Sequence, residues 1–360
     1  MLGAPATIRL TQLAHVVELC DFERCLLPGV CGNKARKLAS LIHHQHLSGS
    51  SSVVSHGGPQ SNAMLSLAAL TAARGTSFTY HTKPLPGWLR DAPAGNLGRA
   101  LRLGMELVEH PSAAAASSAA AAAVDEDKDV LFVPQGGAWP GAEEGVASLA
   151  REIGDWAAGR SVRVVVPAGT GTTALFLARH AAPGVRVYAV PCVGDAAYLH
   201  EQMSALDAAS GGAGVLPHAL EPAEPVPFAS PSKGVLDAWR DGARAGLLLD
   251  LCYGAVAWRE VRRRWLGGGD GDGGGDAYAD GDGDGGKGNG DYGWRPSKSE
   301  PLLYVNCGGH EGLHSMLRRY GRLALLGEGE TAEALLAEAE GACGVKLPPE
   351  EEDVWQAQLV

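Results

Sequence analysis

The feature that most restricts what this chain can fold into is a repeated exchange of two periodicities. Short β-branched runs alternate with helical stretches of ten or more residues. SSVVSHGG (51–58) reads as a strand entering a glycine turn, and AMLSLAALTAARG (63–75) as a helix with a glycine stop. TSFTYHT (76–82) is a strand, and GNLGRALRLGMELV (95–108) is helix followed by strand. DVLFVPQGG (129–137), SVRVVVPAG (161–169) and VRVYAVPC (185–192) are further strands. The segments 141–159 and 170–184 between them are helical. This alternation demands βαβ units, and the handedness rule puts helices on both faces of each sheet. The expected class is α/β, with open, mostly parallel sheets in two lobes. A small lobe covers 48–140, and a large lobe joins 1–47 to 141–360.

Two stretches interrupt the pattern. Residues 267–293 are nearly all glycine and aspartate and read as a disordered insertion, because that composition cannot offset the entropy of ordering. DGDGDG within it resembles part of a calcium loop but lacks the closing bidentate glutamate. The alanine tract 112–124 reads as a second insertion, a surface loop or frayed helix.

Composition narrows the function. With 360 residues, 45% hydrophobic and 20% charged, the chain is that of a soluble globular protein. A net charge of −11 argues against a nucleic-acid partner, which needs a basic face. No apolar run is long enough for a membrane span, and MLGAPATIRLTQL has no secretory-signal pattern, so an intracellular protein is expected. The seven cysteines are scattered without metal-ligand spacing, which points to free thiols in a reducing compartment and to no metal site. His43 and His46 in HHQH lack a third ligand and read as a solvated helix end.

Against that acidic background, Lys34, Arg36 and Lys37 stand together just after a glycine. Two glycine-rich turns follow strands and open helices, at 55–62 (SHGGPQSN) and 167–173 (PAGTGTT). A strand, a small-residue turn and a helix N-terminus together present free backbone N–H groups to an anion. The second turn reads as a phosphate cup, although it matches neither the P-loop nor GxGxxG. In the first, Ser61 or Asn62 also suits a plain helix cap. A lysine before a helix, a hydroxyl-bearing turn and a phosphate cup together suggest pyridoxal phosphate, held by a lysine amine and serving as an electron sink.

GNKARKL (32–38), SHGGPQSN, the GTGTT turn, LLDLCYG (248–254) and NCGG (306–309) occur in order. This series resembles the aminocyclopropane-carboxylate deaminase and D-cysteine desulfhydrase family, which are fold type II pyridoxal-phosphate enzymes. The resemblance implies a homodimer with the cofactor in the cleft between the lobes and a small amino acid as substrate. It makes Lys34 the Schiff-base lysine, with Arg36 and Lys37 offsetting the phosphate charge. Asn62 is then set beside the cofactor's phenolic oxygen, and Gly169, Thr170, Gly171, Thr172 and Thr173 around its phosphate. Ser61 and Tyr253 fall beside the substrate.

The chain departs from the deaminase branch at three places. Gly254 replaces a glutamate near the pyridine nitrogen, Cys307 replaces a leucine, and a second tyrosine is missing near Ser232 and Lys233. Opening a cyclopropane ring makes the heavier demand on charge handling. The departures therefore favour D-cysteine desulfhydrase-type elimination, giving a 2-oxo acid, ammonia and sulfide. Aminocyclopropane-carboxylate deamination and a catalytically inactive ligand-binding relative are the alternatives.

Overall fold

The computed structural model describes residues 6–21, 25–43, 47, 52–126, 129–267 and 294–347. The Gly/Asp tract from 268 onward, with its calcium alternative, and most of HHQH lie outside the described residues.

The chain opens with β1 (Thr7–Leu10) and β2 (Val16–Cys20), then the short pair β3 (Cys25–Leu27) and β4 (Val30–Cys31). Helices α1 (Asn33–Lys37) and α2 (Ala39–His43) follow. A four-stranded sheet comes next, built from β5 (Ser52–His56), β6 (Phe78–Thr82), β7 (Glu106–Glu109) and β8 (Val130–Val133). Its order is β7-β6-β5-β8 and every pairing is parallel. Its crossovers are α3 (Asn62–Arg74), α4 (Gly87–Asp91), α5 (Gly95–Arg102) and α6 (Ala113–Glu126).

Helix α7 (Glu143–Ala157) leads back to β9 (Val162–Ala168), α8 (Thr172–Arg179), β10 (Val185–Pro191), α9 (Ala196–Ala209) and β11 (His218–Ala219). Helices α10 (Lys233–Arg244) and α11 (Gly254–Val261), strand β12 (Leu302–Val305), and helices α12 (Leu313–Arg322) and α13 (Ala332–Cys343) complete the order. The second sheet has six strands, β1-β2-β12-β9-β10-β11, parallel except for the β1–β2 pair. Every residue of β9 is buried, as its valine-rich sequence requires of a strand covered on both faces.

The alanine tract corrects the expectation of a loop or frayed end. It forms α6, which packs against β5, β6 and β8 with Ala116 and Ala120 buried. Alanine is the best intrinsic helix former, so the segment needs no bulky stripe to be helical. Its short side chains let the backbone lie close over the sheet. The cysteines also differ from expectation. Cys20, Cys192, Cys252, Cys307 and Cys343 are free, but Cys31 is disulfide-bonded. The β3–β4 ladder sets the Cys31 backbone opposite that of Cys25.

Among the described residues no helix is long and apolar enough to cross a membrane.

Candidate active site

The three cations near residue 34 point in three directions. Strand β4 runs into Gly32, the N-cap of α1, whose φ of +62° disfavours any side chain. A Cβ there would lie 2.2 Å from the Cys307 carbonyl oxygen. The Asn33 N–H donates to that same oxygen at 3.0 Å. The start of α1 is thereby fastened to the segment after β12, and Lys34 lies half-buried beside it. Its amine donates to Asn33 Oδ1 at 2.9 Å. Burial lowers the Lys34 pKa, while Cys307, Glu311 and Asp250 pull it back up.

Arg36 does not reach toward an anion site, contrary to the expectation that it offsets phosphate charge. Its Nε donates to Asp21 at 2.6 Å, and its two terminal nitrogens donate to Glu152 at 3.0 and 2.7 Å. Ser148 Oγ takes a further bond at 2.9 Å. Arg36 therefore ties α1 to α7 through a buried ionic cluster. The helices approach closely because a Cβ on Gly145 would lie only 2.0 Å from the Arg36 carbonyl oxygen.

Lys37 is the cation left over. It is buried, and its amine donates to the Gly136 carbonyl at 3.2 Å. Burial and the neighbouring Lys34 both push its pKa well down. Among the described residues no carboxylate pairs with it.

The first glycine turn carries Ser61 and Asn62 at the mouth of α3. Ser61 is the N-cap, its Oγ accepting from the Met64 N–H at 3.3 Å. The capping role that its position suggested is therefore real, and it leaves Asn62 in the first turn. Asn62 Oδ1 accepts from Asn96 Nδ2 at 2.7 Å. Asn96 is fixed in turn by Gln60, through its N–H to Oε1 at 2.9 Å and its amide to the Gln60 carbonyl at 3.1 Å. The Asn62 amide nitrogen is turned toward Gly309, where an added Cβ would lie 3.0 Å away.

The second turn leaves β9 at Gly169. A Cβ on Gly169 would stand 3.2 Å from Tyr253 Cε1, so Tyr253 packs closely on this turn. Gly171, at φ +72°, is the N-cap of α8 and supplies no side chain to its first turn. Thr170 and Thr172 hydroxyls share a 2.9 Å hydrogen bond. Thr173 Oγ1 is buried without a hydrogen-bond partner. Thr170 also packs on Gly136, whose Cβ would lie 3.2 Å from Thr170 Cγ2, and Gly136 is where Lys37 ends. An unsatisfied hydroxyl, an uncapped helix start and a buried amine without a carboxylate partner fit a phosphate group.

Tyr253 precedes α11 and packs against Phe228 at 5.2 Å between ring centroids. Burial raises its pKa well above the usual phenol range, so it stays protonated. Asp250 organises this corner: its carboxylate accepts from the N–H groups of Cys252, Tyr253 and Gly254 at 2.8, 2.8 and 2.7 Å. A Cβ at Gly254 would lie 3.1 Å from Asp250 Oδ2. Glycine at 254 therefore leaves room for this carboxylate.

The remaining conspicuous residues have plain explanations. His310 Nε2 lies 2.7 Å from the Leu248 carbonyl and braces the loop. Trp88 is 62% exposed. Burial pushes the Cys307 thiol up to about 12, so it is no thiolate nucleophile at neutral pH. Asn96 and Tyr80 lie outside the quoted motifs, and Asp250 sits within LLDLCYG without a role assigned there, because their importance comes only from what they touch.

Glycines link these parts in pairs: Gly309 lies against Asn62, Gly169 of the threonine turn against Tyr253, and Gly32 before Lys34 against Cys307. A protein-family comparison agrees with this chemistry: the family described as "Pyridoxal-phosphate dependent enzyme" matches residues 12–257. The chain belongs to that family. No curated protein sequence matches it. Among solved structures, an ACC deaminase homologue shares 19% identity over 90% of this chain and 95% of its own, with TM-score 0.63. The processed form of threonine deaminase isoform 2 from Solanum lycopersicum shares 14% identity, covering 87% and 79%, with TM-score 0.52. A fungal L-serine ammonia-lyase from Rhizomucor miehei shares 13%, covering 86% and 94%, with TM-score 0.54. At these identities the likeness concerns the fold, which is that of the fold type II enzymes.

Proposed function

We propose that this enzyme is a lyase or deaminase acting on a small amino acid, and that its reaction is D-cysteine desulfhydrase-type elimination. One water is consumed as cysteine yields pyruvate, ammonia and hydrogen sulfide. The observation that carries this reading is the half-buried Lys34 amine, its pKa lowered by desolvation, on the same short helix as the buried Lys37, whose amine meets the Gly136 carbonyl. A lowered pKa enlarges the share of the amine that carries a free lone pair, which both covalent attachment and proton abstraction need.

Bound pyridoxal phosphate would supply the electron sink for a carbanion at the substrate α-carbon. Lys37, Thr173 and the first turn of α8 would hold its phosphate, and the Asn62 amide nitrogen would donate to its phenolic oxygen. Lys34 would take the α-proton, with Ser61 beside the reacting carbon. Tyr253, kept protonated by burial, would donate its proton to a departing thiolate. The lobes 48–140 and 1–47 with 141–360 would enclose the substrate, and a homodimer, testable by sedimentation, belongs to the same reading.

Aminocyclopropane-carboxylate deamination is the weaker alternative, because Gly254 brings no carboxylate and both Asp250 oxygens are engaged by backbone N–H groups. The test is a panel of D- and L-amino acids with aminocyclopropane carboxylate, scored for sulfide, ammonia and 2-oxo acid. Sulfide from D-cysteine with no ring opening is expected. Ring opening faster than sulfide release would reverse the order of the two, and no product from any substrate would favour an inactive binding relative. Lys34→Ala should abolish the visible absorbance of lysine-bound cofactor; colour that survives dialysis would refute the assignment of Lys34.

A further inference from the structure

We propose that the disulfide at Cys31 is a redox modification site, reduced by small thiols, that sets how firmly Lys34 holds its cofactor. The inference rests on the reading of Lys34 as the cofactor lysine.

Five of the described cysteines are free, and Cys31 is not. It stands just ahead of Gly32, Asn33 and Lys34, and it is half-buried, so a small thiol reaches it. Strands β3 and β4 span only three and two residues and form a sheet of their own, with a register shift between Cys25 and Leu27. So short a two-stranded ladder is marginal without a further tie. The disulfide supplies that tie.

The backbone on either side of Cys31 is anchored. Ahead of it, the Gly29 carbonyl accepts from Ser66 Oγ at 2.7 Å and Val30 is buried. After it, Gly32 is pressed against the Cys307 carbonyl, which also accepts from the Asn33 N–H at 3.0 Å. A displacement at Cys31 therefore passes into the first turn of α1, where Lys34 lies. Arg36 and its carboxylates brace the far end of that helix.

Reduction by a dithiol balances as a two-electron exchange. Its thiolate attacks one protein sulfur, and the protein S–S bond breaks as a mixed disulfide forms. The second thiol then closes on the mixed disulfide, leaving a cyclic disulfide and two protein thiols, which take up the dithiol's two protons. Burial pushes the thiols of Cys252 and Cys307 up to about 12, so neither supplies a thiolate for internal exchange at neutral pH. The reductant comes from outside. Cysteine and sulfide, substrate and product of the proposed reaction, are themselves thiol reductants, so the test uses dithiothreitol and no substrate.

Full-length apoprotein is compared oxidised, reduced and reoxidised, beside Cys31→Ser and Cys343→Ser. The readouts are pyridoxal phosphate affinity by cofactor absorbance, amide hydrogen exchange over residues 32–37, and alkylated thiols counted by mass. Reduction should free two further thiols, speed exchange in α1 and weaken cofactor binding roughly fivefold or more, the size of an ordinary coupling between sites. Reoxidation should restore all three. Coupling is reciprocal, so bound cofactor should make the disulfide harder to reduce by the same factor. Cys31→Ser should match the reduced protein and ignore dithiothreitol, whereas Cys343→Ser, which removes a buried free thiol, should respond as wild type does. Should Cys31→Ser fail to fold, the wild-type redox cycle decides alone. Equal affinity and exchange in the two redox states, a thiol count unchanged by reductant, or a Cys31→Ser protein that still responds would overturn the proposal. If Lys34→Ala keeps the colour of bound cofactor, the reading of Lys34 fails and exchange in α1 decides. A redox-dependent rate then upholds the tie between disulfide and helix, and an unchanged rate refutes it.

Discussion

Asn96 donates its amide to Asn62 Oδ1 at 2.7 Å, and this fixes which end of the Asn62 amide faces Gly309. An asparagine side chain can turn over by half a rotation, exchanging donor for acceptor. Here the carbonyl end is occupied, so the donor end is presented toward Gly309. Asn96→Asp should undo this, because a carboxylate cannot donate to Asn62 Oδ1. We expect pyridoxal phosphate to bind the apoprotein roughly tenfold more weakly, a penalty of about 1–2 kcal/mol for one misdirected hydrogen bond. Titration of the apoprotein followed by cofactor absorbance measures it. Unchanged affinity would show that Asn62 keeps its orientation unaided.

Lys37 makes the apoprotein's stability depend on pH. Its pKa is depressed in the folded state, chiefly by burial and then by Lys34, so the unfolded chain binds the extra proton more readily. The folded state is penalised while that proton must be carried. Stability therefore rises with pH from the folded-state pKa up to the ordinary lysine value of about 10.4. Relative to Lys37→Met apoprotein, wild type should gain Tm across that window, and saturating inorganic phosphate should reduce the difference. A difference that is flat with pH, measured by thermal scans, would mean the amine is solvated after all. Lys37→Met should also weaken cofactor binding.

Arg36→Lys tests the buried cluster that joins α1 to α7. Lysine cannot reproduce the forked contact with Glu152 while also reaching Asp21. Leaving those carboxylates partly unpaired should cost about 3–5 kcal/mol, read as a fall in the denaturant midpoint of the apoprotein. If the midpoint is unchanged, the cluster is not what holds Lys34's helix in place.

Much of the architecture is written locally. The β5-turn-α3 and β9-turn-α8 units were legible because strand periodicity, a capping serine and a stop at Gly75 all act within a few residues. The Lys34 motif and the two turns were legible for the same reason, each being a short segment whose chemistry is its own. Tertiary structure alone decided which neighbour of Lys34 serves which purpose. Arg36 turns to Glu152, 116 residues away, and Lys37 to Gly136, 99 residues away. It also decided that the alanine tract lies on a sheet, that Cys31 finds a partner, and that Tyr80 reaches the Gly58 carbonyl. Local propensities act along the chain and can be read there, whereas burial and charge pairing depend on distances that exist only once the chain has closed on itself.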